Sequence, residues 1–313
     1  DKKDVKYKEK TLILIRHGES TWNDTFNAGD RNKALFVLFF VPNLIYAVIM
    51  EVYFFLSGKD FESWFYDSAL SAKGVGQGES LRKFLKKEKM RLGSANKKGG
   101  DGEERAVRLL LALGEESDPS SHVISSNLRR AISTAVIGLA DRFAATIPKD
   151  KGEDKILLLP ALQEISRNPD ALSILPRKGT AHPTWCDTHI PGLFPPGSFS
   201  DLIDTQYHTG NKPVNTNGLL RLNEFCGNVF DSEILSKDNI IVTGHSLFFR
   251  SFFQVFLPRE FEHISKKKKL VNGGTVMLTL REMTSDGGKR KEYMIDPNSL
   301  VVVYGGFGNH TKG

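Results

Sequence analysis

Thr11-Leu12-Ile13-Leu14-Ile15-Arg16-His17-Gly18-Glu19-Ser20 is the stretch on which the fold turns. Residues 11 to 15 form a short apolar run rich in β-branched and leucine side chains, the pattern of a strand buried on both faces of a parallel sheet. The run stops at Arg16-His17-Gly18, which delivers a cation, an imidazole and a glycine to the strand's carboxyl edge. That edge is where open α/β sheets bind ligands. Gly18 lets the backbone turn and leaves space beside the ring. A tripeptide alone is a weak signal in a chain of 313 residues, so its weight depends on what else reaches the same edge.

Three further strand patterns end in polar groups. His122-Val123-Ile124-Ser125-Ser126 passes through Asn127-Leu128 into Arg129-Arg130-Ala131 at the start of a helix. Cations in a helix's first turn oppose its dipole, a cost that an anionic ligand offsets. Lys155 to Leu159 runs into Pro160-Ala161-Leu162-Gln163-Glu164. Asn239 to Thr243 ends in Gly244-His245-Ser246, followed by an apolar helix over 247–257. Helices are also predicted from Ser71, a plausible N-cap, and over 217–235, where Leu222, Phe225 and Val229 share a face. The chain closes with strands at 275–280 and 293–303, joined through Asp286-Gly287-Gly288. Strands alternating with helices make an α/β fold.

On one sheet edge, Arg16, His17, Arg130 and His245 would form a pocket of two guanidiniums and two imidazoles. Its natural ligand is a dianionic phosphoryl group, since guanidinium forks match phosphate oxygens and stay charged. An imidazole nitrogen there can attack phosphorus, splitting one hard displacement into two. The cations stabilise charge on the equatorial oxygens. Glu164 is the carboxylate that a strand end positions to protonate the leaving alkoxide. The scheme requires neither metal nor cofactor.

Composition sets the frame. With 40% hydrophobic and 26% charged residues, the chain can bury a sizeable core, and wholesale disorder is excluded. The net charge of +6 is modest, and no aromatic residues interleave with Lys266-Lys267-Lys268-Lys269, so that run reads as a solvated loop and nucleic acid is not expected as a partner. Cys186 and Cys226 are too few for a disulfide framework, which favours an intracellular, reducing compartment. The first residues, from Asp1, are basic and polar without a signal peptide's apolar run, leaving open whether a targeting segment preceded them.

Three insertions interrupt the pattern. Residues 93–120 are glycine-rich and charged, read as a mobile surface loop with one short helix near 103–113. Residues 166–215 are proline-rich and irregular, wide enough to roof a pocket. His182, Cys186, Asp187 and His189 cluster there without a trusted metal-ligand spacing. The third, 27–66, holds an apolar series from Ala34 to Met50 that only Asn43 interrupts, extended by Val52 to Leu56. Its length passes for a membrane span, but one crossing would separate His17 from the rest of the pocket. Pro42-Asn43 could break it, though the eight-residue arm before it is too short to cross. The surviving readings for residues 34–56 are insertion into one leaflet (peripheral on an organelle membrane), docking on an apolar protein partner, or a helical lid on the domain's own surface.

The chain resembles the histidine phosphatase superfamily, in the branch of the phosphoglycerate mutases and related phosphatases. The motif Arg-His-Gly-Glu-Ser-x-Trp-Asn stands as Arg16 to Asn23, Asp-x-x-Leu-Ser-x-x-Gly-x-x-Gln as Asp67 to Gln77, and Ser-x-Leu-x-Arg-Ala-x-x-Thr-Ala as Ser126 to Ala135. Glu164 and His245 stand where that family keeps its acid and its second histidine. The resemblance covers the chain apart from the insertions and implies one domain over 1–313, a three-layer α/β/α fold with a mostly parallel sheet. It further implies His17 as nucleophile, Glu164 as general acid then base, and Arg16, Arg130, His245 and Asn23 as phosphate ligands. Arg130 is preferred to Arg129 because it directly precedes Ala131 in the motif. The chain departs from the glycolytic mutases after Glu164, with Ile165-Ser166-Arg167-Asn168-Pro169, and after His245, with Ser246-Leu247. Losing those contacts favours hydrolysis of a small phosphorylated substrate. The rivals are a mutase-type phosphotransferase and a structural subunit of a membrane-associated complex that keeps the fold.

Overall fold

Seven consecutive residues of strand β1 (Tyr7–Arg16), from Lys10 onward, are buried, as its apolar run demands. The computed structural model describes residues 7–27, 32–59, 62–93, 100–113, 121–144, 154–179, 201–213, 215, 217–285 and 290–308. β1 pairs in parallel with β5 (Asn239–Gly244) and antiparallel with β7 (Thr275–Ser285). Outward from β5 lie β2 (Ser121–Ser125), β3 (Ile156–Leu158) and β4 (Ile203–Asp204), all parallel. Outward from β7 lies β8 (Arg290–Ile295), with β9 (Val301–Tyr304) also paired to β7, both antiparallel. The fold is thus α/β with a mixed, mostly parallel sheet in the order β4-β3-β2-β5-β1-β7-β8. Two short strands, β6 (Lys269–Leu270) and β10 (Phe307–Gly308), pair apart from it.

Alternate residues of β1 feed two cores, as period-two side chains must. Ile13 and Ile15 pack with Leu81 and Leu85 of α3 (Ala72–Leu92), Val107 of α4 (Asp101–Leu110), Ile132 of α5 (Arg129–Gly138) and Phe143 of α6 (Ala140–Ala144). Leu12 and Leu14 pack on the other face with Phe225 and Val229 of α7 (Gly218–Phe230) and the phenylalanines of α8 (Ser246–Phe256). This is the three-layer arrangement implied by the resemblance.

Two glycines lock the loop after β1 onto α3. A Cβ at Gly74 would stand 2.0 Å from the Glu19 carbonyl oxygen, and one at Gly18 2.4 Å from the Gly74 carbonyl oxygen. Backbone contacts that close tolerate no side chain. Gln77 Oε1 accepts the Glu19 N–H at 2.8 Å, and Ser71 caps α3 by accepting the Gly74 N–H. The Asp67 to Gln77 motif is therefore the cradle of the His17 loop.

Several expectations are modified. α4 is the short helix expected near 103–113, beginning at Asp101, but its Ala106, Val107, Leu109 and Leu110 are buried in the core, so this part of the insertion is not the surface segment expected. Residues 94–99 and 114–120 of that insertion lie outside the described residues, as do the His182 to His189 cluster and the 286–288 turn. β4 extends the sheet from within the proline-rich insertion, and its two residues are too few to show a period. Pro42 does not end the apolar series. Residues 33 to 56 form one helix, α2 (Lys33–Leu56), capped by Asn32, which accepts the Ala34 N–H at 2.9 Å. A proline removes one helical hydrogen bond, and a long helix survives that loss. α2 lies lengthwise on its own domain. Phe40 packs on Phe26 of α1 (Thr21–Phe26), Tyr46 and Phe54 on Trp64, and Glu51 accepts from Ser63 Oγ and the Trp64 N–H.

Candidate active site

Register explains why two histidines 228 positions apart meet. Arg16 of β1 is the partner of Gly244 of β5, so the next residue of each strand, His17 and His245, stand side by side with ring centroids 5.0 Å apart. The His17 N–H donates to the Gly244 carbonyl at 3.0 Å. His17 Nδ1 lies 2.5 Å from the Gly18 carbonyl oxygen. A carbonyl only accepts, so the ring's proton belongs on Nδ1 and its lone pair on Nε2, the tautomer of a nucleophile.

β2 and β5 are likewise in register, with Ser125 opposite Thr243, which brings Ser126 to His245. Ser126 Oγ accepts the Leu128 N–H at 3.3 Å and lies 2.8 Å from His245 Nε2. If the hydroxyl hydrogen goes to Nε2, the His245 proton sits on Nδ1. Burial above all, then the Arg130 and His17 charges, hold the His245 imidazole well below its ordinary pKa, so it is neutral at neutral pH. The unfolded chain binds that proton near 6.5 and the native one does not. Stability is therefore fully present above pH 6.5 and falls on acidification below it, to an extent that His245→Gln reduces; denaturant melts between pH 5 and 7 measure this.

The two arginines divide their labour. The Arg129 backbone N–H donates to Asp67 Oδ1 at 2.8 Å, its Nε to the Asp67 carbonyl at 2.7 Å, and its Nη2 to the Ser63 carbonyl at 2.7 Å. Asp67, at φ 46°, also accepts the Ile174 N–H, so it ties the α5 start to the roof. Arg130 faces the pocket, donating Nη1 to the Asp170 carbonyl at 2.7 Å, with Nη2 3.3 Å from Asp170 Oδ2. Arg129→Ala is expected to destabilise by about 3 kcal/mol, because buried acceptors lose a charged partner. Arg130→Ala is expected to lower kcat/KM by roughly 10²- to 10³-fold with the smaller change in Tm. Parallel melts and turnover assays check both.

Glu164 sits against the start of α8. Its Oε1 accepts the Ile165 and Phe248 N–H groups at 2.8 and 3.1 Å, and its Oε2 accepts from Leu247 at 3.3 Å. The loop behind it is gathered by two buried cations. Arg221 donates to the carbonyls of Pro160, Ala161 and Gln163, and Lys212 Nζ donates to those of Glu164 and Ser166. Burial, helped by the Arg221 charge, lowers the Lys212 pKa to about 8.

These groups surround a cavity of about 440 Å³. Arg16, His17, Asn23, Arg130 and Glu164, all singled out in the sequence, line it. The His245 ring does not; it lies fully buried beside His17, and its neighbours Ser246 and Leu247 form the wall. Sequence reasoning missed Ser166, Asn168 and Asp170, which the roof contributes, together with Trp22, Asn27, Lys33 and Lys269. The irregular roof offers no period to read. Lys269 was hidden in a basic run whose Lys267 does stay in solvent, paired with Glu262.

Arg16 Nη1 donates to the Leu270 carbonyl at 2.6 Å. Burial lowers its pKa to about 10, opposed by Glu164 and Glu19, so the guanidinium is charged at neutral pH. Around the paired histidines, three buried nitrogens have no hydrogen-bond partner among the described residues: Arg16 Nε, Arg130 Nε and His245 Nδ1. Buried donors without acceptors are costly, so this cluster suits an anion. Among the described residues no group of His, Cys, Asp and Glu is arranged to hold a metal ion.

No protein-family model matches the sequence, and no curated protein matches it. Solved structures do. A mycobacterial glucosyl-3-phosphoglycerate phosphatase aligns over 92% of this chain and 98% of its own, at 12% identity and a TM-score of 0.39. A proposed alpha-ribazole-5'-P phosphatase from Escherichia coli aligns over 92% and 97%, at 15% identity and a TM-score of 0.38. The mycobacterial phosphatase has also been solved with inorganic phosphate and with VO3. These likenesses are loose, and what the site can do follows from its own geometry.

Proposed function

We propose that this protein hydrolyses phosphomonoesters through a phosphohistidine on His17. The observation that carries the reading is the pairing of a nucleophilic tautomer at His17 with the unpartnered nitrogens of Arg16, Arg130 and His245 around it. In the first step His17 Nε2 attacks phosphorus, the P–O bond to the leaving group breaks, and the departing alkoxide takes a proton from Glu164. Oε2 is the oxygen to carry that proton, since its amide contact is the longest of the three. As the N–P bond forms, the Gly18 carbonyl steadies the proton on Nδ1, and the guanidiniums of Arg16 and Arg130 meet the equatorial oxygens. In the second step Glu164 takes a proton from water, the oxygen attacks phosphorus, and the N–P bond breaks to release phosphate.

The acid's role predicts a dependence on the leaving group. Glu164→Gln keeps an acceptor for the Ile165 and Phe248 amides, gives up the long contact with the Leu247 amide, and cannot donate the proton. Turnover of an alkyl phosphate, with its poor leaving group, is expected to fall roughly 10²- to 10³-fold, and that of nitrophenyl phosphate only about tenfold. Equal losses on both substrates would remove Glu164 from proton transfer. Hydrolysis is favoured over transfer by the altered segments after Glu164 and His245. The test is a panel of phosphorylated metabolites, scored for free phosphate against phosphate moved to an added alcohol.

A further inference from the structure

α2 is the part of the molecule that the catalytic reading leaves unused. Of its 24 residues only Ala47 and Phe54 are buried. The half-buried positions Phe36, Phe40, Leu44, Met50 and Glu51 fall on the same face, spaced three and four apart, and this face rests on the domain. Most of the other side chains are exposed and apolar, Tyr46 touching Trp64 from the edge of this face. Counting about 100° per residue, the exposed large apolar side chains cover roughly 200° of the circumference, centred on Leu38, Ile45 and Val52. The helix is about 36 Å long. Its sole acidic residue, Glu51, is turned inward onto Ser63 and Trp64.

The shape of this surface decides between partners. A protein groove grips one stripe of a helix, at positions i, i+3, i+4 and i+7. A bilayer surface wets whatever arc is presented to it, which matches a broad apolar face without a dominant stripe. The edges fit as well. Lys33 begins the helix and Lys59 follows it, while Tyr46, Tyr53 and Tyr66 stand exposed among the aliphatic side chains. Lysines and tyrosines are the residues that sit at headgroup level.

The same helix reaches the reaction pocket with its first residue. Lys33, its first residue, lines the His17 cavity together with Trp22 and Asn27. Trp22 packs on Phe26 with ring centroids 4.2 Å apart, and Phe26 packs on Phe40 of α2 at 6.4 Å. Neither Lys33 nor Lys269, the two lysines at this cavity, has an acidic ion-pair partner among the described residues. The phosphoryl pocket and the uncovered apolar face are thus contiguous.

We propose that the outer face of α2 lies in the surface of a lipid bilayer and that the His17 pocket takes the phosphomonoester headgroup of a lipid. The substrate half of this rests on the phosphatase reading of the site. Shallow seating of α2 would bring headgroup phosphates to Lys33 and Lys269, while the acyl chains stay in the leaflet beside Leu38 and Ile45. No lipid then has to leave the membrane to react.

The experiment uses the full chain with phosphatidylcholine vesicles, with and without a minor fraction of phosphatidic acid. It follows flotation of the protein and release of phosphate, with a soluble aryl phosphate assayed in parallel. The wild type is expected to float with both vesicles and to hydrolyse the phosphatidic acid. The variant Leu38→Glu/Ile45→Glu/Val52→Glu, changed only at exposed positions, is expected to lose flotation and to release phosphate from phosphatidic acid roughly tenfold more slowly or worse. Its rate on the aryl phosphate stays unchanged. A wild type that remains in the soluble fraction, or elutes as a dimer that ignores vesicles, overturns the membrane surface. Undiminished lipid hydrolysis by the triple variant overturns it too. Flotation without hydrolysis of either substrate overturns the catalytic reading and the lipid substrate with it, while the surface stands.

Discussion

His17→Ala is expected to lower phosphate release from an aryl phosphate by roughly 10⁴-fold or more, with little change in Tm. The size follows from the role. Deleting a residue that only binds phosphate leaves the two-step route open, whereas deleting the nucleophile closes it. The small stability change follows from the contacts: the ring hydrogen-bonds the neighbouring Gly18 carbonyl and stands tilted beside His245. Matched melting curves and initial rates check the pair of outcomes. A variant with wild-type turnover would place the chemistry elsewhere.

The second large effect is on stability. Gly74→Ala is expected to destabilise by about 3 kcal/mol or more, because its Cβ would stand 2.0 Å from the Glu19 carbonyl oxygen. Backbone cannot yield there cheaply. The Glu19 N–H is held by Gln77 and the Gly18 N–H donates to Thr134 Oγ1 at 3.0 Å, so moving either strand of the contact breaks the cradle. Any folded fraction should also lose activity, because the same loop carries His17. Gly76→Ala, where a Cβ meets nothing within 4 Å, is the control and should be near neutral. Denaturant melts of the two variants make the comparison.

Much of this arrangement was written in local pattern. The apolar run of 11–15 ending in Arg-His-Gly placed His17 at a strand end, and the same logic placed Glu164 and His245. What local pattern does not hold is register. Only the pairing of Arg16 with Gly244 brings the two imidazoles together, and pairing between residues so far apart in sequence leaves no local trace. The same limit explains the missed lining residues. Asp170 comes from a stretch with no period and becomes visible only through its ion pair with Arg130. α4 was legible as a short helix near 103–113, but the buried sheet face that its four apolar residues cover was not.

His245 shows where chemistry was legible and geometry was not. The resemblance offered it as a direct phosphate ligand, yet its ring is fully buried and outside the cavity lining. Its unpartnered Nδ1 and its 5.0 Å approach to His17 keep it next to the reacting atom. Its neutrality, caused first by burial, suits a hydrogen-bond donor better than a fixed positive charge.

The most direct test is to trap the phosphorylated protein. Mixing the wild type with a phosphomonoester and quenching within one turnover should yield a phosphoenzyme that is stable in alkali and lost in acid, mapping to His17 and absent from His17→Ala. A phosphoryl group that survives acid, or one that maps to any residue other than His17, would contradict the account.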